Sequence, residues 1–173
     1  MSEYPAGIYV PRTKENDDGV VYDPDASTKL FAEDVVNLDD EVVAIETDLA
    51  QKVLQVKVLD EATALAVGNG KLVFCIPTKL NGMLLKTANA FISTTSSSGD
   101  VAVQVRNITK AVDMLSTTIG ITATDYSSYE SATPGVVDTA HDDVSTGDLI
   151  AIDIDGAGTG AKGLGVILTF SNS

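Results

Sequence analysis

The chain has one cysteine, one histidine and no tryptophan among its 173 residues. Cys75, inside LVFCIP, therefore has no intrachain disulfide partner and no companions for a cysteine metal cluster. The role expected of it is that of a small apolar residue buried in a strand. His141 stands alone, and neither G-x-S-x-G nor H-E-x-x-H occurs, so no Ser/His/Asp arrangement and no zinc hydrolase is signalled. The expectation is a non-enzymatic protein without a cofactor. The enzymatic alternative is a pair of carboxylates that trims surface polysaccharide, because carboxylate separation is a three-dimensional property.

Basic residues are scarce as well. Eleven Lys and Arg stand against 25 Asp and Glu, giving a formal charge of −14 and a pI near 4.1. Nucleic acid demands a basic face, and so does an anionic membrane surface, so neither is an expected partner. No apolar run approaches the ~20 residues of a membrane span. The opening MSEYPAGIYV lacks a basic stretch followed by an apolar one, so a protein made in a cytoplasm, without membrane insertion, is expected. Aromatics are 5% of the chain against 44% hydrophobic residues. A core must then be built from Val, Ile, Leu and Ala, and the length allows one such core plus an appendage.

Glycine and proline are missing between Pro24 and Gly68, and Lys and Arg between Leu30 and Gln51. In that interval Val35, Leu38, Val42, Ile45 and Leu49 recur at spacings of three, four, three and four. This is the seam of a short coiled coil, or the apolar stripe of an amphipathic helix packed on its own β-domain. We expect a short self-associating helix over 32–52 with these five residues at the interface, two strands and three both being compatible with Val at one seam position and Leu or Ile at the other. Glu41 and Glu46 would meet as like charges across a parallel seam, so a larger contact must help hold the copies together. Residues 1–31 carry Pro5, Pro11, Pro24, Gly7 and Gly19 and little periodicity. They read as an extended anchoring arm, with Tyr4, Tyr9, Val10, Val20, Val21 and Tyr22 as the docking side chains.

From Val53 onward the period becomes two, with Leu54, Val56 and Val58 on one face and Gln55, Lys57 and Leu59 on the other. Further strands are expected at 71–76, 83–94, 101–107, 116–123, 149–155 and 164–170. Gly68-Asn69-Gly70, Asn81-Gly82, the SSSG run at 96–99 and GAGTGAKG at 156–163 are expected to separate them. Short strands with polar turns and no second helix predict a mainly β fold, an antiparallel β-sandwich or jelly-roll head over 53–173.

Three places invite a functional reading. His141 lies among Asp138, Asp142 and Asp143, and a loop histidine among acids is ordinarily just solvated. Asp153-Ile154-Asp155-Gly156 has the first beats of a calcium loop, but Leu164 stands where the closing Glu should be. Alternation with Ile152 and Ile154 reads instead as the polar face of a strand, so no metal is expected. The loop at 122–135 holds Tyr126 and Tyr129 in a Ser/Thr-rich setting. Either they contact a ligand, such as a sugar ring or a protein, or they pack under the loop.

The segment YVPRTKENDDGVVYDPDASTKLFAEDVVNLDDEVVAIE resembles the N-terminal module of tail-fibre and related virion structural proteins of tailed bacteriophages. The stretches GKLVFCIPTKLNGMLLKTANAFI, VQVRNITKAVDMLST and DDVSTGDLIAIDIDGAG are similar to the β-sandwich that closes such fibres. The resemblance covers about residues 8–170. It implies a virion component, a homotrimer whose arm joins other virion proteins of the tail, baseplate or capsid. It also implies a head facing a host-surface glycan or protein. Such fibres usually carry a shaft between helix and head. Here the head follows at once, which also suits a capsid decoration protein or head fibre.

Overall fold

A computed structural model describes residues 50–172. The expected arm with Tyr4, Tyr9, Val10, Val20, Val21 and Tyr22, and the expected seam of Val35, Leu38, Val42, Ile45 and Leu49, lie outside the described residues.

The described part is mainly β, with antiparallel pairing throughout. Its strands are β1 (Lys52–Ala64), β2 (Gly68–Cys75), β3 (Leu84–Thr94), β4 (Val101–Asn107) and β5 (Val112–Asp113). They continue with β6 (Leu115–Thr117), β7 (Ile119–Ile121), β8 (Val136–Val137), β9 (Leu149–Ala157) and β10 (Lys162–Ser171). Two 3-10 turns, Thr78–Leu80 and Ser128–Glu130, sit between strands. One sheet runs β1-β10-β3; we call it sheet A. The other, sheet B, runs β2-β9-β4-β5, with β7 also on β4, and β6 pairs with β8 in a small ribbon.

The first four long strands go to alternate sheets, β1 to A, β2 to B, β3 to A and β4 to B; β9 then joins B beside β4, and β10 returns to A. The ladders are therefore non-local, with Lys52 opposite Phe170 and Leu72 opposite Ile152. Period-two alternation makes this work, because each strand offers one apolar face. Sheet A contributes Leu85, Ala88, Ala90 and Ile92 of β3 and Leu164, Val166, Leu168 and Phe170 of β10. Sheet B contributes Val101, Val103, Val105, Ile150, Ile152 and Ile154, and all of these belong to one hydrophobic cluster. The scarcity of aromatics shows here, since Phe170 is the one aromatic among the fully buried side chains of the described residues.

Strand β1 begins at Lys52, one residue before the change of period at Val53, and runs for 13 residues. Three expectations need correcting. Gly68-Asn69-Gly70 does not separate strands but opens β2, where a register shift between Gly68 and Leu72 absorbs it. The strand expected over 116–123 is two strands. Leu115–Thr117 pairs with β8, and Ile119–Ile121 turns to pair with β4. Cys75 is exposed rather than buried. Leu72 and Phe74 face Ile152 and Ile150 and claim the core side of β2, so Cys75, opposite Leu149, falls on the outer side.

Candidate binding surface

The free edge of β3 is where the loops gather. At one end Leu85 N–H donates to the Asp142 carbonyl and Val144 N–H to the Met83 carbonyl, at 2.8 and 3.0 Å. At the other end the tyrosine-bearing loop lies along the strand, with Ser127 bridged to Phe91. Ile92 N–H donates to the Tyr126 carbonyl at 2.9 Å. The Ser128 hydroxyl, buried, accepts from Ala90 N–H at 3.0 Å and donates to Asn89 Oδ1 at 3.2 Å. Thr124 N–H donates to the Ser96 carbonyl and Ala123 N–H to Asp100 Oδ1, both at 2.9 Å. These bonds satisfy an edge that would otherwise invite pairing with another chain.

The loop is thus fixed at both flanks, and its aromatic side chains are left outside. Tyr126 is 59% exposed and Tyr129 68%. Of the two readings open from sequence, packing under the loop is not what the fold does with them; a small serine takes that place. Thr124 sits at φ 79°, a left-handed conformation costly for a β-branched residue, so the loop's path is imposed by its contacts rather than by local preference.

A recess of about 420 Å³ lies on the outer face of sheet A, next to Phe91. Gln55, Lys57, Leu59 and Glu61 of β1 form one wall, Leu164 and Gly165 of β10 the floor, and Phe91 and Ser93 of β3 the other wall. Glycine makes this space. A Cβ at Gly165 would overlap the far edge of the Phe91 ring, so the ring leans across the central strand where a side chain should be. Gly163 has φ 61° and lies so close to the Glu61 backbone and the Ser93 hydroxyl that a Cβ would collide with both. Lys57 Nζ pairs with Glu61 at 2.9 Å and with Asp60 at 3.0 Å. The hydrogen bonds that Lys57 donates to Glu61 and then Asp60 raise its pKa, and the same lysine lowers that of Glu61.

The acidic candidates behave as framework. Asp153 is 3% exposed, more deeply placed than the polar face of an ordinary strand. Its carboxylate accepts from Arg106 Nε at 2.7 Å and from the Gly70 N–H. Asp155, two residues on, is exposed, and burial of its surroundings together with the charges of Asp153 and Asp113 raises its pKa. Among the described residues no group of three or more His, Cys, Asp and Glu could hold a metal ion. His141 Nδ1 lies 2.7 Å from Asp138 Oδ2. That contact, with the Ala140 N–H, holds the Asp138 carboxyl below its ordinary value. Asp142 is buried, and Asp143 is ion-paired with Lys110 instead.

The structure brings Tyr126 and Tyr129 together on one loop, and that loop borders the strand carrying Phe91. It does not bring His141 or the Asp153–Asp155 pair into this region as ligands of anything described. Sequence reasoning missed the recess. The signal was present in Gly163 and Gly165, two glycines inside one strand, which mark a bulge or a close approach of neighbours. Comparison with protein-family models, with curated proteins and with solved structures found no match to the chain. Among the described residues no helix is long and apolar enough to cross a membrane.

Proposed function

We propose that the chain is a non-enzymatic structural protein of a tailed-bacteriophage virion. In this reading it is a short trimeric fibre or spike, joined to the particle by its N-terminal arm, with a β-sandwich head used for host attachment. The observation that carries the attachment role is the tyrosine loop. A fixed backbone presents two exposed aromatic side chains, which suits recognition because little freedom is left to lose on contact. Three such heads on one particle-bound body would act by avidity, so each contact can be weak. The two-sheet arrangement with strands alternating between sheets supports the sandwich. The phage assignment and the trimer rest on the resemblance and on the apolar seam at Val35, Leu38, Val42, Ile45 and Leu49.

The test is adsorption. Tyr126→Ala combined with Tyr129→Ala should reduce attachment of particles to host cells while the head keeps its melting temperature; unchanged adsorption would remove the loop from the reading. Light scattering on the intact protein should give three times the 18.0 kDa chain mass. The second reading is a capsid decoration protein. It is favoured by strand β1 starting at Lys52, which leaves no room for a shaft after the expected seam. Labelled protein found on capsomers rather than the tail would select it.

A further inference from the structure

We infer that the recess on the outer face of sheet A is a binding site for a neutral saccharide, sized for one or two sugar rings. This deepens the attachment reading and takes its biological meaning from it, but the binding itself concerns different residues from the tyrosine loop.

The argument starts from shape. An outer sheet face is normally filled by alternate side chains, and here Gly165 leaves the middle strand bare. The half-buried Phe91 ring fills only part of that gap, and a recess of about 420 Å³ opens between it and β1. That falls in the range of small-molecule pockets, roughly 300–1,000 Å³.

The lining then selects the chemistry. Phe91 supplies an apolar surface for the C–H face of a pyranose. Gln55 brings an amide that can both donate and accept, and Ser93 a hydroxyl that does the same. Neither side chain makes a hydrogen bond among the described residues, so both are available to ligand hydroxyls. Lys57 is held by Asp60 and Glu61, so no cation is free on this rim to attract an anion. The formal charge of −14 opposes anionic ligands further. A purely apolar ligand would leave the amide and the hydroxyl without partners. An uncharged ring with one apolar face and several hydroxyls satisfies both.

The experiment is NMR titration of the intact protein with glucose, galactose, mannose and N-acetylglucosamine and their disaccharides, with glucuronic acid as the anionic counterpart. Saturable shifts of residues in β1, β3 and β10 are expected with at least one neutral sugar, at about millimolar affinity. Phe91→Ala and, separately, Gln55→Ala should each weaken that binding about tenfold or more. The Gln55 side chain is exposed, so its variant keeps the test open should Phe91→Ala unfold. Tyr126→Ala with Tyr129→Ala should leave sugar binding in the recess unchanged. The inference is overturned if none of these neutral sugars binds, if glucuronic acid binds more tightly, or if binding survives the Gln55 change. Loss of adsorption in the tyrosine variant with retained sugar binding, or the reverse, tells the two readings apart.

Discussion

The outer faces of the two sheets solve the same problem in opposite ways. Sheet B carries an ion pair on its outer face. Arg106 on β4 reaches the carboxylate of Asp153 on β9, which also takes the Gly70 N–H from β2, so one ion pair ties three strands. Sheet A empties its outer face instead, with glycine at 163 and 165 of its central strand and an aromatic ring laid over the gap. An emptied face costs packing and provides a recess, which is where we propose recognition, while the ion pair of sheet B serves as framework.

The largest expected effect comes from removing the strand on which sheet A depends. Residues 162–173 contain β10, which lies between β1 and β3. Truncation before Lys162 should abolish cooperative unfolding, read by circular dichroism during a thermal ramp. Next comes the emptied face itself. Gly163→Ala places a Cβ in a left-handed backbone and against Glu61 and Ser93, and should cost about 2–4 kcal/mol in urea unfolding.

On sheet B, Asp153→Ala leaves the Gly70 N–H without its acceptor, a loss of about 1–3 kcal/mol measured the same way. If Asp153→Ala proves harmless while Gly163→Ala unfolds the protein, the framework role assigned to sheet B fails.

Acid should act more gently and with two signs. Burial works against the charge of Asp148, but Asn107 Nδ2 at 2.9 Å, the Ser145 N–H at 3.0 Å and the Lys110 ammonium outweigh it and hold its pKa down. A depressed folded pKa means stability that is present above the unfolded value, about 3.9, and is lost as pH falls through the folded one. Asn107→Ala should therefore flatten the acid limb of the stability curve below about pH 4. Asp155 runs the other way. Its raised folded pKa favours the protonated fold below the unfolded value, and that support disappears as pH rises through the folded value. Asp155→Asn should raise the urea midpoint at neutral pH and lose its advantage in acid.

The smallest effect belongs to the rim of the recess. Lys57, Asp60 and Glu61 are exposed, and ion pairs between exposed side chains add little to stability. Lys57→Ala should leave the urea midpoint within error. A large shift would mean that the rim is part of the framework and would blur the contrast between the faces.

Much of the strand pattern was legible. The alternation in VAVQVRN gives β4 its observed ends, and the strand expected over 164–170 falls within β10. Partners were not legible. Only β4 and the two-residue β5 form a hairpin between neighbours in the described residues, so the long strands find partners that sequence spacing does not reveal. The same non-locality hides the ion pair between Arg106 and Asp153, 47 residues apart, and turns Cys75 outward. Tyr126 and Tyr129 were legible as candidates, but Ser128, which pins their loop, looked like one more polar loop residue.

The sequence alone determined the class of fold and its economy of parts. Period-two patterning over a Val-, Ile- and Leu-rich composition can bury its apolar faces only as sheets, and a chain with one cysteine must do so without disulfides. Tertiary structure decided which strands meet, which carboxylates are buried and where an empty place is left. Those outcomes depend on register between segments far apart in the chain. A side chain's neighbours across a ladder cannot be read until its strand has found its place in a sheet.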